Sequence, residues 1–292
     1  MRLIRWIILI VVVVGAGVGI YMLTPVSGPA RDLTLVGDAE RGEYLIRLGG
    51  CVTCHTDPKN KEAELAGGAG LTTPFGTFYP PNITSSQTAG IGGWTLSQFS
   101  KAMSDGEGPQ GHLSPAFPYD SYTLMSDQEI ADLHAALMAR PANDTASRGH
   151  DVGFPFNVRL AMAGWKHLFF SPRRFDADPS QSEEWNRGRY LVFGPGHCVT
   201  CHSPRNALGG FEAGRELAGN MTGGPGGKAP SLLKPDLEKH QYTKEALIQT
   251  LTDGFTPGFD VLGGAMGEVI ADETSHWTEA DKAAVAEYLL GG

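Results

Sequence analysis

Cys51-Val52-Thr53-Cys54-His55 returns letter for letter as Cys198-Val199-Thr200-Cys201-His202, and the two stretches hold all 4 cysteines of the chain. C-x-x-C-H is the attachment signature of c-type haem. Two thiols one helical turn apart can each add across one vinyl group of a single porphyrin, and the adjoining histidine then lies under the ring to ligate the iron. Cys51, Cys54, Cys198 and Cys201 are therefore assigned as attachment residues, and His55 and His202 as iron ligands, for two covalently bound haem c groups. The rival readings are two disulfides, a redox dithiol or part of a zinc site. None of them explains why histidine follows the second cysteine both times.

The repetition extends outward from the motifs. Arg41-Gly42-Glu43-Tyr44-Leu45 matches Arg187-Gly188-Arg189-Tyr190-Leu191. Trp94-Thr95, leading to Ser104-Asp105-Gly106, matches Tyr242-Thr243, leading to Thr252-Asp253-Gly254. Ser126-Asp127-Gln128-Glu129 matches Thr278-Glu279-Ala280-Asp281. The offset stays at about 150 residues throughout, which marks a tandem duplication. Each copy reads as a short helix entering C-x-x-C-H, a Gly/Pro-rich loop, a middle helix, a second loop and a final helix. In the final helices Ile130, Leu133 and Leu137, and Val285 and Leu289, recur at helical spacing. Ser126 and Thr278 are expected as N-caps with Glu129 and Asp281 as capping-box partners. Strand-like runs are few and glycine is abundant at 39 residues, which suits helices wrapped around a large flat cofactor.

About 260 residues follow an apolar N-terminus, enough for two domains of ordinary size. The formal charge is −9, and ionised haem propionates would make it more negative. No basic stripe is present to neutralise phosphates, which argues against a nucleic-acid partner. Arg2 and Arg5 precede an uncharged run from Trp6 to Leu23 that includes Ile7 to Val14. At about 1.5 Å per residue the stretch from Leu3 to Leu23 can span a bilayer core. The arginines place the N-terminus in the cytoplasm and the remainder outside. A cleaved signal peptide is the rival, but its apolar core is usually shorter, and no clean small-x-small site follows Tyr21-Met22-Leu23-Thr24-Pro25. Residues 1–24 are expected to be a retained signal anchor. Between the copies, 141–182 reads as a connector with an aromatic middle, from Phe154 through Trp165 to Phe170. It is expected either to pack across the seam between the copies or to expose an apolar patch for a partner subunit.

These residues together resemble a known family. Thr73-Pro74-Phe75-Gly76, Asn82-Ile83-Thr84, Gly90-Ile91-Gly92-Gly93-Trp94, Pro115-Ala116-Phe117-Pro118-Tyr119, Trp185-Asn186-Arg187-Gly188, the run from His197 to Asn206, and Met266-Gly267-Glu268-Val269 are similar to the multihaem cytochrome c subunits of bacterial membrane-bound dehydrogenases, such as alcohol and gluconate dehydrogenases. The resemblance runs from about Gly37 to the C-terminus, and two motifs imply the two-haem form. The expected fold is all-α: an N-terminal transmembrane helix followed by two tandem class I cytochrome c domains, at 31–140 and 183–292. The resemblance also implies an electron carrier in the bacterial inner membrane, its haem domains in the periplasm. It would accept electrons from a dehydrogenase subunit or respiratory complex and deliver them to quinone or a terminal acceptor.

The sixth iron ligand decides what such haems do, because His/Met ligation raises the potential and closes the iron to small molecules. In the second copy Met266 lies in a glycine-rich loop before the last helix, where cytochromes c supply their methionine; Met221 is an earlier candidate. In the first copy relatives read Pro-Ala-Met-Pro-Tyr where this chain has Phe117, and phenylalanine cannot ligate iron. Met125, in the loop entering the last helix, is the assigned ligand. Met103 reads as core and His112 as a solvated loop residue, and the remaining alternative is an open iron. Three functions follow. The leading one is a membrane-tethered dihaem electron carrier serving a dehydrogenase. The second is a dihaem enzyme, of peroxidase or thiosulfate-oxidising type, using an open first haem. The third is a fixed wiring subunit of a respiratory supercomplex.

Overall fold

The computed structural model describes residues 2–224 and 227–291; Met1, at the head of the expected anchor, and Pro225, Gly226 and Gly292, in the second copy, lie outside the described residues. Helix α1 (Arg2–Met22) buries none of its apolar stretch Ile4–Met22, which is long and apolar enough to cross a membrane. The first half holds α2 (Ala39–Leu48), α3 (Cys51–His55), α4 (Leu96–Asp105), α5 (Tyr119–Tyr122) and α6 (Asp127–Ala139). Helix α7 (Ala161–Phe169) forms the connector. The second half holds α8 (Glu183–Phe193), α9 (Cys198–His202), α10 (Lys234–Lys239), α11 (Lys244–Asp253), α12 (Gly264–Asp272) and α13 (Glu279–Leu290).

The expectation of an all-α chain needs one correction. Short antiparallel strands join the helices: β1 (Leu71–Thr73) pairs with β2 (Gly76–Phe78), β3 (Glu107–Gly108) with β4 (Gly111–His112), and β6 (Asn220–Gly224) with β7 (Gly227–Ala229). Strand β5 (Asp151–Val152), from the connector, adds to β2. Strands this short, rich in glycine, carry no period-2 alternation to read. His112 therefore sits in a hairpin rather than a solvated loop.

In each half the first helix crosses the last, α2 on α6 and α8 on α13. The repeated Arg-Gly-x-Tyr-Leu segment makes the crossing. A Cβ on Gly42 would stand 2.0 Å from the Asp132 carbonyl oxygen, and one on Gly188 would stand 1.9 Å from that of Ala284. Only glycine lets the backbones approach so closely. The preceding arginines tie the same helices together: Arg41 Nε donates to Asp132 Oδ2 at 2.8 Å, and Arg187 Nε to Asp281 Oδ1 at 2.7 Å. The tyrosines of the segment reach the other half. Tyr44 Oη donates to Asp281 Oδ2 at 2.6 Å, and Tyr190 Oη to Glu129 Oε2 at 2.6 Å. Glu129 and Asp281 occupy equivalent places in the duplication, so the seam is built from reciprocal bonds.

Those bonds modify the expected caps. Ser126 and Glu129 close a full capping box. Thr278 accepts from the Asp281 N–H at 3.1 Å, but the Asp281 carboxylate is given to Arg187 and Tyr44 rather than returned to the cap. Burial alone would raise the Asp281 carboxyl; the hydrogen bonds from Arg187 and Tyr44 outweigh it and hold the group below its ordinary range.

Helix α7 packs across both halves. Trp165 Nε1 donates to the Leu208 carbonyl at 2.8 Å. Lys166 is buried, and its Nζ donates to the carbonyls of Asp105 at 2.6 Å and Gly106 at 2.7 Å. This cation satisfies the C-terminal end of α4, where the helix dipole is negative. Phe154, Leu160 and Leu168 remain exposed, so the connector also presents an apolar face.

The segment after α1 is fastened at the start of α6. Arg31 donates to the carbonyls of Met125 at 2.5 Å and Thr123 at 2.6 Å, and both Arg31 and Arg174 pair with Asp127. Burial pushes the Asp127 carboxyl up, but hydrogen bonds from Arg174, the Asp32 N–H and Arg31 prevail and hold it at about 2. A depressed carboxyl contributes stability that is complete above its unfolded pKa, near 4, and is lost as pH falls towards about 2. Its side chain is 16 % exposed and is shared between two arginines near the surface, so the contribution is on the order of 1 kcal/mol. Asp127→Asn is expected to flatten the acid limb of the melting temperature between these limits by about 2 °C or less. An unchanged acid limb in that variant would remove Asp127 from the account.

Candidate haem-attachment sites

Helices α3 and α9 are single turns, so each places its two cysteines at i and i+3 on one face. Each is entered through a left-handed residue, Gly50 at φ 63° and His197 at φ 35°. His55 Nδ1 lies 2.6 Å from the Pro81 carbonyl oxygen, and His202 Nδ1 lies 2.8 Å from that of Pro230. A carbonyl only accepts, so the ring proton is on Nδ1 and the Nε2 lone pair is left for a metal. Burial lowers both imidazoles despite the opposing carbonyl bonds, which keeps them neutral as ligation requires. Behind Pro81, Asn82 is buried and its Nδ2 donates to the carbonyls of Asn143 at 2.7 Å and Thr145 at 2.9 Å. The chain leaving α6 thereby fixes the carbonyl that orients His55.

The surroundings of the sulfur atoms are unlike those of a redox dithiol. Such a site needs one thiol of depressed pKa. Burial instead pushes the Cys51, Cys54 and Cys198 thiols up to about 12, and it raises Cys201 as well. Cys51, Cys54 and Cys198 are in no disulfide. A cavity of about 830 Å³ opens beside the first motif, between Val52, Thr53 and Cys54 on one side and Gly264, Ala265 and Glu268 on the other. Paired thiols on one face, an anchored neutral histidine with Nε2 free and adjoining space fit a covalent haem.

Met266 lies in the first turn of α12 rather than in a loop, and its side chain packs on the main apolar cluster. Ile270, one turn on, shares that side and is buried, while Ala265, Glu268 and Asp272 face the cavity. Met221 is exposed in β6. Met125 is 1 % exposed. Its N–H donates to the Tyr122 carbonyl at 3.0 Å, so the chain from Tyr119 is coiled and folds Met125 inward immediately before the Ser126 cap. It borders a second cavity of about 660 Å³ on the seam with Tyr190 and Arg187. Phe117 packs on Tyr122 with ring centroids 5.3 Å apart. Met103 is a core residue.

The two motifs meet across the seam. Tyr122 Oη donates to the Gly49 carbonyl at 2.6 Å, and its ring lies edge-on to His197, centroids 5.7 Å apart. No protein-family model matches the chain. It is 40% identical over 287 residues to a diheme cytochrome c-type protein of Cereibacter sphaeroides, covering 96% of this chain and 95% of that one. It is 35% identical over 254 residues to the fructose dehydrogenase cytochrome subunit of Gluconobacter japonicus. The chain belongs to the diheme c-type cytochromes. The match takes in 85% of this cytochrome and 51% of the fructose dehydrogenase subunit. A third relative is the cytochrome c subunit of the quinone-linked alcohol dehydrogenase of Gluconacetobacter polyoxogenes, 36% identical over 276 residues. There the match covers 89% of this chain and 56% of the relative, so this cytochrome spans about half the length of both dehydrogenase subunits. As a c-type cytochrome it carries covalently bound haem c and transfers electrons.

Sequence reasoning missed several residues of this site. The Pro81 and Pro230 carbonyls had a signal, since a proline follows each motif histidine at a similar distance in both copies. Tyr44 and Tyr190 were visible only as a repeated letter. Glu273 had none, and nothing in the sequence tied it to His197, which it meets beside Gly50.

Proposed function

We propose that this cytochrome is a membrane-anchored dihaem electron carrier of the bacterial periplasm. It takes electrons from a dehydrogenase or respiratory donor and passes them to a downstream acceptor. Residues 31–140 and 183–292 form its two class I domains, and α1 holds them at the inner membrane with Arg2 and Arg5 on the cytoplasmic side. Cys51, Cys54 and His55 would hold one haem and Cys198, Cys201 and His202 the other, with Met125 and Met266 as the further candidate iron ligands. When bound, haem supplies a one-electron iron couple whose potential methionine ligation raises. The protein's part is to fix each histidine through a proline carbonyl, exclude water and hold the two attachment helices against one seam.

The observation that carries this reading is the pair of matching clamps, His55 on Pro81 and His202 on Pro230, each adjoining a cysteine pair. Two covalent haems per chain are expected by intact mass and should survive acid–acetone extraction, because thioether bonds hold them. Cys54→Ser and Cys201→Ser should each remove about half of the covalent haem. One haem per wild-type chain would overturn the dihaem reading.

A further inference from the structure

Glu273 ends α12 and is 1 % exposed. Its Oε2 has no hydrogen-bond partner. It stands where the halves meet: a Cβ built on Gly50 would lie 2.7 Å from Glu273 Oε2 and 3.1 Å from His197 Nε2. The titratable groups facing it are Cys51 and Cys54 from α3, Tyr122 from α5, and His197, Cys198 and Cys201 at α9. With the cysteines in thioether links, only Tyr122 and His197 of these remain ionisable. Burial pushes the Glu273 carboxyl and the Tyr122 hydroxyl well above their ordinary values and His197 down to about 4. A buried carboxyl without a cation or a full set of hydrogen bonds is costly to keep. An apolar side chain would fill the space more cheaply, which points to a use for the proton.

We propose that Glu273 is a proton-exchanging residue shared by the two haem sites, taking up one proton from solvent when an electron arrives beside it and releasing that proton on reoxidation. This rests on the reading that both motifs carry haem. The donor supplies one electron, which reduces ferric to ferrous iron, and solvent supplies the proton that converts the Glu273 carboxylate to the acid. The added negative charge raises the proton affinity of a neighbouring carboxyl. By linkage, electron affinity then falls with pH between the carboxyl pKa of the oxidised protein and that of the reduced protein, and is flat on either side. The window lies above the ordinary carboxylate range.

The test is a spectroelectrochemical titration of both haems from acid to alkaline pH in the whole cytochrome and in Glu273→Gln. In the wild type, electron affinity should fall by up to tenfold per pH unit inside the window, the limit for one proton per electron. In Glu273→Gln, which stays neutral, that fall should vanish and both haems should keep their acid-limit affinity. Two covalent haems with the same pH dependence in variant and wild type would overturn the proposal and leave the dihaem reading intact. One covalent haem would overturn the dihaem reading itself. Should the variant not fold, reduced-minus-oxidised infrared spectra of the wild type decide: a protonated-carboxyl C=O band gained on reduction and shifted in D2O is expected, and its absence overturns the proposal.

Discussion

Gly42→Ala and Gly188→Ala are each expected to destabilise this cytochrome by about 3 kcal/mol or more, at the upper end of what overpacking costs. The added methyl would be placed 2.0 Å from the Asp132 oxygen in the first case and 1.9 Å from the Ala284 oxygen in the second. Both obstacles are backbone atoms of a helix, so no side chain can swing aside. The helices must separate, and with them go the Arg41–Asp132 and Arg187–Asp281 pairs and the tyrosine bonds across the seam. A melting temperature lower by about 10 °C is expected for either variant. Gly164 is the control. It also lies within a helix, α7, but an added Cβ there meets nothing within 4 Å. Gly164→Ala should therefore be neutral or stabilise by up to about 1 kcal/mol. A Gly42→Ala protein as stable as the wild type would sink the close-crossing account.

Met266→Ala is expected to convert the second haem from a closed to an open site while the first is unchanged. Methionine opposite histidine favours the ferrous state and blocks the sixth position. Its loss should lower that haem's potential by roughly a hundred millivolts, a modest part of the 0.8 V or so that axial ligands command. The same haem should then bind cyanide or imidazole. Met125→Leu is the matching test of the first haem. An apolar swap of similar volume at a buried position costs under about 1.5 kcal/mol, so the fold should persist and the spectrum reports the ligand. A first haem that turns high-spin supports Met125, whereas an unchanged low-spin signal excludes it. A wild type already high-spin at that haem would favour the enzymatic reading over the carrier.

The sequence alone determined what is written locally. The five-letter motif, the caps at Ser126 and Thr278, the apolar run of α1 and the duplication all lie in windows of a few residues, where one turn of backbone decides the geometry. That locality made the cofactor class and the helical scaffold legible before any fold was known. The short strands were not legible, because pairs such as Glu107–Gly108 with Gly111–His112 have too few residues to show a pattern. The sequence puts Met266 in a loop because Gly263-Gly264 reads as a breaker, yet packing on the apolar cluster holds that stretch helical.

Only the tertiary structure decided what surrounds the motifs. Tyr44 and Asp281 are 237 residues apart in the chain and 2.6 Å apart in space. The Pro81 and Pro230 carbonyls act on the histidines through backbone atoms that every residue possesses, so the repeated proline marks the place but not the contact. No sequence pattern sets Lys166 or Glu273 apart, and burial changes both: Lys166 falls to about 8, and Glu273 rises well above a normal carboxyl. The reason is common to all of them. Desolvation and close contact depend on what the rest of the chain brings to a point, and a side chain's own identity does not carry that information.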